Sequence, residues 1–331
     1  VVLRHDDHGK YQPRGHPSDN VTGEQPSTIW DVLVLGAGPA GLTAGAFLAR
    51  HGRRVTVIDN FLGNHMMNAG VVENFPGFPD GIEGPELASY LQRQSMAAGA
   101  EFLAANVESI EVSERGTPLF AVTTDAGTRV AHSIVSCTGS RPRRLGFEDE
   151  ARLFGKGVST CATCDGPLFG GRRVAVAGGG DSALDEALLL SEVASEVVVI
   201  HQEQALTGQR ALIDRAQRTP NIRMHPSAGI VGLKGDDRLE GVIIRGLDGV
   251  ESTLDVGALF VFIGLQPNTE FLRNIVDLDE TGRVVTDGSM RASIPGLFAA
   301  GDCRTGSVAQ FVTAAGDGAT AGIEAHRYLT R

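Results

Sequence analysis

The sequence predicts an α/β protein made of two three-layer domains, and three observations support this prediction. The same order of buried strand, glycine-rich turn and helix occurs twice along the chain. The length of 331 residues fits two domains. The 43 glycines, about twice the average share, follow no three-residue period and lie between apolar runs, which excludes collagen-like and low-complexity chains.

The first of the two units starts with the apolar run IWDVLVLG, which predicts a buried strand. The turn GAGPAG follows at residues 36–41, and an Ala/Leu-rich helix continues to about Arg50. A second strand, RVTVID, ends at Asp59. This order of elements is a βαβ unit.

The first turn has the pattern G-x-G-x-x-G at Gly36, Gly38 and Gly41. In this context the first glycine permits the tight turn, the second lets a pyrophosphate approach the backbone, and the third lets the helix pack on its strand. The amides of the helix N-terminus would face the anion, and Asp59 could accept hydrogen bonds from an adenosine ribose. The alternative is a glycine turn that only packs tightly.

The second unit starts near Arg172 with the strand RRVAVAG. It continues with the turn GGGDSA at 178–183, the helix LDEALLLSEV and the strand EVVVIHQ. His201 stands where the first unit has Asp59, and a neutral imidazole cannot repeat a carboxylate's ribose contact. Gln202 and Glu203 do not supply the cation that a 2′-phosphate requires. A degenerate nucleotide site therefore remains an alternative for this unit.

The remaining segments complete the two domains. A mixed loop and helix spans 61–99, β-like segments span 101–137, and a small-residue helix closes the chain. Gly/Pro turns at 139–142 and 264–267 read as hinges around an insertion. We therefore predict two Rossmann-like nucleotide-binding domains, the second inserted into the first. The predicted segments are a polar tail at 1–28, one nucleotide-type domain formed by 29–140 and 264–331, and a second nucleotide-type domain at 141–263.

Charge and composition exclude several classes of protein. The formal net charge of −11 and the pI near 5.3 argue against a partner that is nucleic acid or an anionic membrane. No apolar run is long enough for a membrane span, and the first residues lack the apolar core of a signal peptide. We therefore expect a cytoplasmic protein. The irregular spacing of His5, His8 and His16 favours solvated imidazoles, and no metal site is predicted.

The four cysteines include one close pair, Cys161 and Cys164, in the motif CATCDG. Two thiols at this spacing can close a small disulfide ring, and Asp165 beside them could move a proton to or from a thiolate. A zinc site would need two further ligands. A structural pair without chemistry is a second alternative. Cys137 and Cys303 lie in apolar segments and are expected to be core residues.

Six motifs in this order resemble the low-molecular-weight thioredoxin reductases over about residues 29–331. They are GAGPAG, VENFPGFPDGIEGPEL (72–87), CATCDG, VAVAGGGDSALDEAL, FIGLQPNT (262–269) and IPGLFAAGDC (294–303). The resemblance implies FAD in the domain formed by the first and last segments, a smaller pyridine-nucleotide domain carrying the CxxC, and a homodimer. It leaves open whether NADPH or NADH is the donor.

The resemblance also implies residue roles. Cys164 would face the flavin, Cys161 would attack the substrate disulfide, and Asp165 would donate and accept the proton. Asp59 and the first turn would hold the adenosine diphosphate, Asn74 and Gln310 would lie near the isoalloxazine, and Asp302 near the ribityl and phosphate region. The full set implied for FAD is Gly36, Ala37, Gly38, Pro39, Ala40, Gly41, Asp59, Asn68, Asn74, Val107, Thr138, Gly139, Gly301, Asp302, Gln310 and Phe311. The set implied for the nicotinamide nucleotide is Gly178, Gly179, Gly180, Asp181, Ser182, Ala183 and His201.

The sequence departs from the family pattern in three places. The basic signature H-R-R-x-x-x-R is reduced to its first residue in the segment 201–207. The stretch G-G-Q-L-T-T-T near the flavin reads GNHMMNA at 63–69. The aromatic pair that commonly follows C-D-G is replaced by Pro167 and Leu168.

The leading hypothesis is a thioredoxin reductase-like, FAD-dependent disulfide oxidoreductase. It would pass electrons through FAD to the Cys161–Cys164 disulfide and on to a thioredoxin-like protein or a small disulfide. The loss of the basic signature motivates an alternative, a flavin dithiol oxidase that uses oxygen, or a ferredoxin- or flavin-linked reductase, without NADPH. A flavin-binding sensor or interaction module is the alternative outside enzymology.

Overall fold

The computed structural model describes residues 28–60, 65–113 and 118–331. The chain forms two compact units. One unit contains the described residues up to Ser140 together with Pro267–Arg331, and the other contains Arg141–Gln266. The predicted polar tail lies outside the described residues except for Thr28.

The strands and helices of the described residues are numbered in chain order. The strands are β1 Ile29–Leu35, β2 Val55–Asp59, β3 Val71–Val72, β4 Ile82–Glu83, β5 Glu101–Ala104, β6 Val107–Val112, β7 Phe120–Thr124, β8 Gly127–Ser136, β9 Ser140–Pro142, β10 Val158–Ser159, β11 Arg173–Ala177, β12 Glu196–His201, β13 Ile222–Pro226, β14 Ala228–Lys234, β15 Gly241–Gly246, β16 Glu251–Asp255, β17 Ala258–Val261, β18 Leu265–Pro267 and β19 Leu297–Ala299. The helices are α1 Pro39–Arg50, α2 His65–Asn68, α3 Gly84–Ala98, α4 Glu148–Leu153, α5 Ala162–Asp165, α6 Asp181–Ser191, α7 Arg210–Arg218 and α8 Phe311–Tyr328.

The first unit is built on a sheet with the strand order β5-β2-β1-β8-β7-β6, and β19 also pairs with β8. Strands β5, β2, β1, β8 and β19 are parallel, whereas β7 and β6 are antiparallel additions. Successive side chains of a strand point to opposite faces, so β1 contributes Val32 and Val34 to one core and Leu33 and Leu35 to the other. Helices α1, α3 and α8 supply the first of these cores.

The second unit repeats this plan. A parallel sheet has the order β10-β17-β11-β12-β13, and a separate antiparallel sheet has the order β14-β15-β16. On β11, Val174 and Val176 pack with residues of α6, whereas Ala175 and Ala177 pack with residues of β15. Each parallel sheet is thus covered on both faces, as expected for a nucleotide-binding fold of this class.

Strands β9 and β18 form a two-stranded sheet where the chain passes from one unit to the other. A hydrogen bond from the Arg143 amide to the Gly264 carbonyl, 2.9 Å long, lies at one end of this ribbon. A bond from the Asn268 amide to the Gly139 carbonyl, 3.0 Å long, lies at the other end. The two chain crossings are therefore paired with each other.

The α/β fold class and the repeated strand, turn and helix are confirmed. The second helix was expected to begin at Leu184 but begins at Asp181, because the turn glycine Gly180 is its N-cap. Cys137 and Cys303 are buried, as expected for core residues, and burial raises the pKa of both thiols. Among the described residues, no helix combines the length and the apolar character that a membrane span requires.

Candidate functional site

The first glycine turn joins β1 to α1 in the geometry that the motif predicts. Gly36 has φ +103°, and a Cβ there would overlap the carbonyl oxygen of Cys137. A Cβ at Gly41 would overlap the carbonyl oxygen of Gly36. A Cβ at Gly38 would meet nothing within 4 Å, so the space outside the helix N-cap is open. Since no acidic residue lies in the first turn of α1, this cradle suits an anion such as a pyrophosphate.

Asp59 ends β2 beside this turn. Its Oδ2 accepts a hydrogen bond of 2.5 Å from the Ala37 amide. The carboxylate is therefore fixed at the glycine turn, in the place where a ribose would be held. The open cradle and the fixed carboxylate together fit the adenosine diphosphate part of FAD.

The other residues predicted for FAD follow neighbouring parallel strands. Thr138 and Gly139 follow β8, and Gly301 follows β19. Because β2, β1, β8 and β19 are adjacent and parallel, their carboxyl ends meet at one edge of the sheet, which is where ligands bind in open α/β sheets. The structure thus brings these residues to the same edge as Gly36 and Asp59.

The remaining predicted FAD residues lie on loops and helix ends of the first unit. Asn74 Nδ2 donates to Gln310 Oε1 at 2.9 Å, which joins two residues expected near the isoalloxazine. Asp302 accepts from the hydroxyls of Ser140, at 3.1 Å, and Ser307, at 3.3 Å. Three others stand at element ends: Asn68 is the last residue of α2, Val107 the first of β6 and Phe311 the first of α8.

Two residues that sequence reasoning did not assign support this region. The Arg304 guanidinium forms two hydrogen bonds of 2.7 Å with the Asp317 carboxylate, which also accepts from the Gly301 amide at 3.1 Å. This bidentate pair is largely buried and fixes the turn that carries Asp302. No motif in the sequence links an arginine to an aspartate thirteen positions later.

The second glycine turn joins β11 to α6. Gly178 has φ +128°, and Gly180 is the N-cap of the helix. Asp181 in the first turn of α6 accepts hydrogen bonds from the Gln209 amide, at 2.6 Å, and from Gln209 Nε2, at 2.8 Å. The turn geometry is therefore present, but a carboxylate already lies at this helix N-terminus.

His201, at the end of β12, occupies the place of Asp59 in this second unit. Its ring is buried, and Nδ1 has no hydrogen-bond partner among the described residues. Burial lowers the pKa of His201, which keeps the imidazole neutral. Gln202 and Glu203 follow it and are exposed. Residues 201–207, all of them described, stand where the family has its basic signature for a 2′-phosphate. This segment contains no Arg or Lys.

The CxxC motif stands at the start of the short helix α5. Cys161 is its N-cap, and its sulfur accepts from the Cys164 amide at 3.2 Å. The two cysteines form a disulfide, with Cα atoms 5.4 Å apart. Because the two sulfurs are bonded to each other, neither is a free thiolate that could bind zinc in this structure. Asp165 ends α5, and its amide bonds the Cys161 carbonyl at 3.2 Å.

A carboxylate lies behind this motif. Glu186 on α6 accepts a hydrogen bond of 3.0 Å from the Ala162 amide, through Oε2. The pKa of Glu186 is raised to about 7, chiefly by burial and to a smaller extent by the charge of Asp185, while the hydrogen bond from the Ala162 amide partly offsets this rise. Sequence reasoning missed this residue, because an acid on a predicted helix reads as a solvated side chain.

Comparison with known proteins identifies the family of the chain. Residues 30–318 match the family model described as pyridine nucleotide-disulphide oxidoreductase. A thioredoxin reductase of Listeria monocytogenes is 37% identical over 304 residues, which cover 91% of this chain and 94% of that protein. NADPH-dependent thioredoxin reductase 3 of Arabidopsis thaliana is 39% identical over 325 residues, or 95% of this chain, which spans only 60% of that longer relative.

Solved structures show the same relationship. The crystal structure of Lactococcus lactis thioredoxin reductase superposes with a TM-score of 0.87 at 33% identity, covering 91% of this chain and 99% of that one. These comparisons give no support to the dithiol oxidase alternative. With the glycine turns and the CxxC disulfide, they show that the chain belongs to the pyridine nucleotide-disulphide oxidoreductase family, as a thioredoxin reductase-like, FAD-dependent enzyme.

Proposed function

We propose that the chain transfers two electrons from a reduced pyridine nucleotide to the Cys161–Cys164 disulfide and then to the disulfide of a thioredoxin-like protein or a small molecule. The observation that carries this proposal is the disulfide itself, closed across a CxxC at the N-terminus of α5 in the unit that also has the second glycine turn. The names of the relatives support thioredoxin as the substrate class.

The first unit would bind FAD and the second the pyridine nucleotide. FAD supplies a carrier that accepts a hydride from a nicotinamide and delivers two electrons to a disulfide. In the first unit, Gly38 and the α1 N-terminus would hold the pyrophosphate, Asp59 the ribose, and Asp302 the ribityl and phosphate region. Asn74 and Gln310, already joined to each other, would border the ring system.

The two cysteines would have different roles. In the dithiol state, the Cys161 thiolate would attack the substrate disulfide and form a mixed disulfide, releasing one substrate thiol. The Cys164 thiolate would then attack Cys161, which reforms the intramolecular disulfide and releases the second thiol. Asp165 would give a proton to a leaving thiolate and take one from the next thiol. The substrate gains two electrons and two protons in total.

Cysteine variants test these roles. Cys164→Ser should trap a mixed disulfide with thioredoxin through Cys161, visible on a non-reducing gel, whereas Cys161→Ser should trap none. Both variants should lose turnover while keeping bound flavin. Disulfide reduction that persists in Cys161→Ser would overturn the proposal.

The electron donor is tested by anaerobic titration with NADPH and then NADH, following the flavin absorbance. The absence of a cation at 202–207 and the neutral His201 support a weak preference for the 2′-phosphate. We expect reduction by both nucleotides with little discrimination between them. If neither nucleotide bleaches the flavin, a pyridine nucleotide is not the donor.

The partner, assembly and location belong to the same proposal. Leu168 beside α5 is 72% exposed and Val193 after α6 is 40% exposed, and these apolar side chains would contact a thioredoxin-like partner. A homodimer and a cytoplasmic location are proposed from the family resemblance. Light scattering of the flavin-loaded chain would test the dimer.

A further inference from the structure

Glu186 is an ionisable side chain directly behind the redox motif. Its carboxylate accepts from the amide of Ala162, and that amide belongs to the peptide bond that joins Ala162 to Cys161. Ala162 is buried, so the contact lies beneath the CxxC rather than on its outer side. Among the residues that the structure describes, Glu186 forms no ion pair.

Holding the Ala162 amide with a carboxylate requires a negative charge to be partly buried, which costs free energy. Burial raises the pKa of Glu186 to about 7, which means that the charged form is disfavoured at this place. A glutamine would offer the same acceptor oxygen without this cost. Perturbed carboxylates without a compensating cation concentrate at functional sites rather than in structural networks.

We propose that Glu186 is a positioning residue of the Cys161–Cys164 centre, which fixes the Cys161–Ala162 peptide and whose negative charge makes the disulfide harder to reduce. This inference rests on the proposed function, since it concerns the same redox pair. Glu186 acts through the sulfurs and the backbone and does not itself exchange electrons.

The direction follows from like-charge repulsion. Reduction breaks the S–S bond, adds two electrons and yields two thiols, of which one ionises to a thiolate. The Glu186 carboxylate lies one peptide unit away from Cys161 and disfavours a thiolate there. Removing the carboxylate charge stabilises the reduced form, so the equilibrium shifts toward the dithiol.

The test measures this equilibrium in the full, flavin-loaded chain without nicotinamide or thioredoxin. The protein is equilibrated anaerobically at pH 8, above the pKa of about 7, with set ratios of reduced and oxidised dithiothreitol. Reduced dithiothreitol gives two electrons and two protons and becomes its cyclic disulfide. Exchange is then quenched with acid, and the free thiols of Cys161 and Cys164 are alkylated with excess reagent in denaturant at neutral pH and counted by mass spectrometry.

Two neutral variants and one control are compared with the unchanged chain. Glu186→Gln keeps the acceptor oxygen. Glu186→Ala removes the carboxylate and introduces the residue with the highest helix propensity, so it is the second neutral variant if Glu186→Gln does not fold. Both should raise the equilibrium constant for reduction about tenfold, which is about 30 mV for a two-electron couple. Glu192→Gln, an exposed carboxylate at the end of the same helix, should leave it unchanged.

Each outcome decides a different question. A folded neutral variant within twofold of the unchanged chain overturns the role of the charge, and so does a shift in Glu186→Ala that Glu186→Gln does not share. If Cys161 and Cys164 of the unchanged chain resist reduction at every ratio, the proposed function fails instead.

Discussion

The two glycine turns share one backbone plan but differ in the side chains around them. In the first, Asp59 fixes the turn through the Ala37 amide, and the first helical turn of α1 contains no acid. In the second, neutral His201 occupies the place of Asp59, and Asp181 stands at the start of α6. Where α1 buries Ala44 in the core, α6 has Glu186 against the redox motif.

This difference shows that one supersecondary unit supports two tasks. The first turn has an open cradle and a fixed carboxylate, which suit the FAD site proposed for it. In the second turn a neutral imidazole stands in place of the carboxylate, and the helix that follows contacts the peptide of the redox disulfide. A site that must release its nucleotide after each transfer gains from weak binding.

The largest expected effect comes from the third position of the first turn. Gly41→Ala places a methyl group on the carbonyl oxygen of Gly36, a backbone atom that cannot move away. We expect loss of bound flavin and of most of the folded protein, measured by flavin absorbance and by Tm. The matched change Ala183→Gly in the second turn should cost only about 1 kcal/mol of helix stability and keep the flavin. A flavin-loaded Gly41→Ala protein with unchanged Tm would contradict the comparison.

Asp59 should contribute next. Asp59→Asn keeps the shape but loses the charge that holds ribose and amide, so we expect FAD affinity to fall about 10- to 100-fold, as for a lost charged hydrogen bond. Flavin fluorescence titration of the apoprotein measures this change. Asp31→Asn makes the same charge change at a carboxylate that accepts from the Arg54 amide, away from the turn, and as the control it should not alter FAD affinity.

Glu186 gives a smaller effect on stability. Its pKa in the folded chain is about 7 instead of 4.5, so the folded state holds the proton more tightly and stability is lost as the pH rises from 4.5 through 7. Glu186→Gln lacks this loss and should be more stable at pH 8 by about 2 to 3 kcal/mol. Urea unfolding at pH 5 and pH 8 measures it, and the difference should shrink at pH 5. A difference that does not depend on pH would refute the assignment.

The smallest effect concerns nucleotide selectivity. Glu203→Arg introduces a cation where a 2′-phosphate would lie and should improve the affinity for NADPH about tenfold, with NADH unchanged. Stopped-flow reduction of the flavin at varied nucleotide concentration measures both affinities. Glu240→Arg makes the same charge change at an exposed position immediately before β15 and serves as the control. Equal improvement in both variants would indicate only long-range attraction.

The sequence predicted the elements whose periodicity is strong and local. Strand β1, helix α1 and the end of β2 at Asp59 follow from apolar runs and glycine positions, and both turns were located correctly. The pairing of β9 with β18 could not be predicted, because strands of three residues have no periodic signal. The Arg304–Asp317 pair and the Glu186 contact also escaped prediction, since each depends on side chains that only the folded backbone brings together.

The paired crossings β9 and β18 have a consequence for gene architecture. Because the two ends of the Arg141–Gln266 segment run side by side, this segment is a cassette whose ends can be joined by a short loop. On the host side, a hydrogen bond of 3.0 Å joins the Asn268 amide to the Gly139 carbonyl, so the two ends of the host chain are also close together. Recombination at these two points could therefore exchange one such cassette for another without opening the host fold.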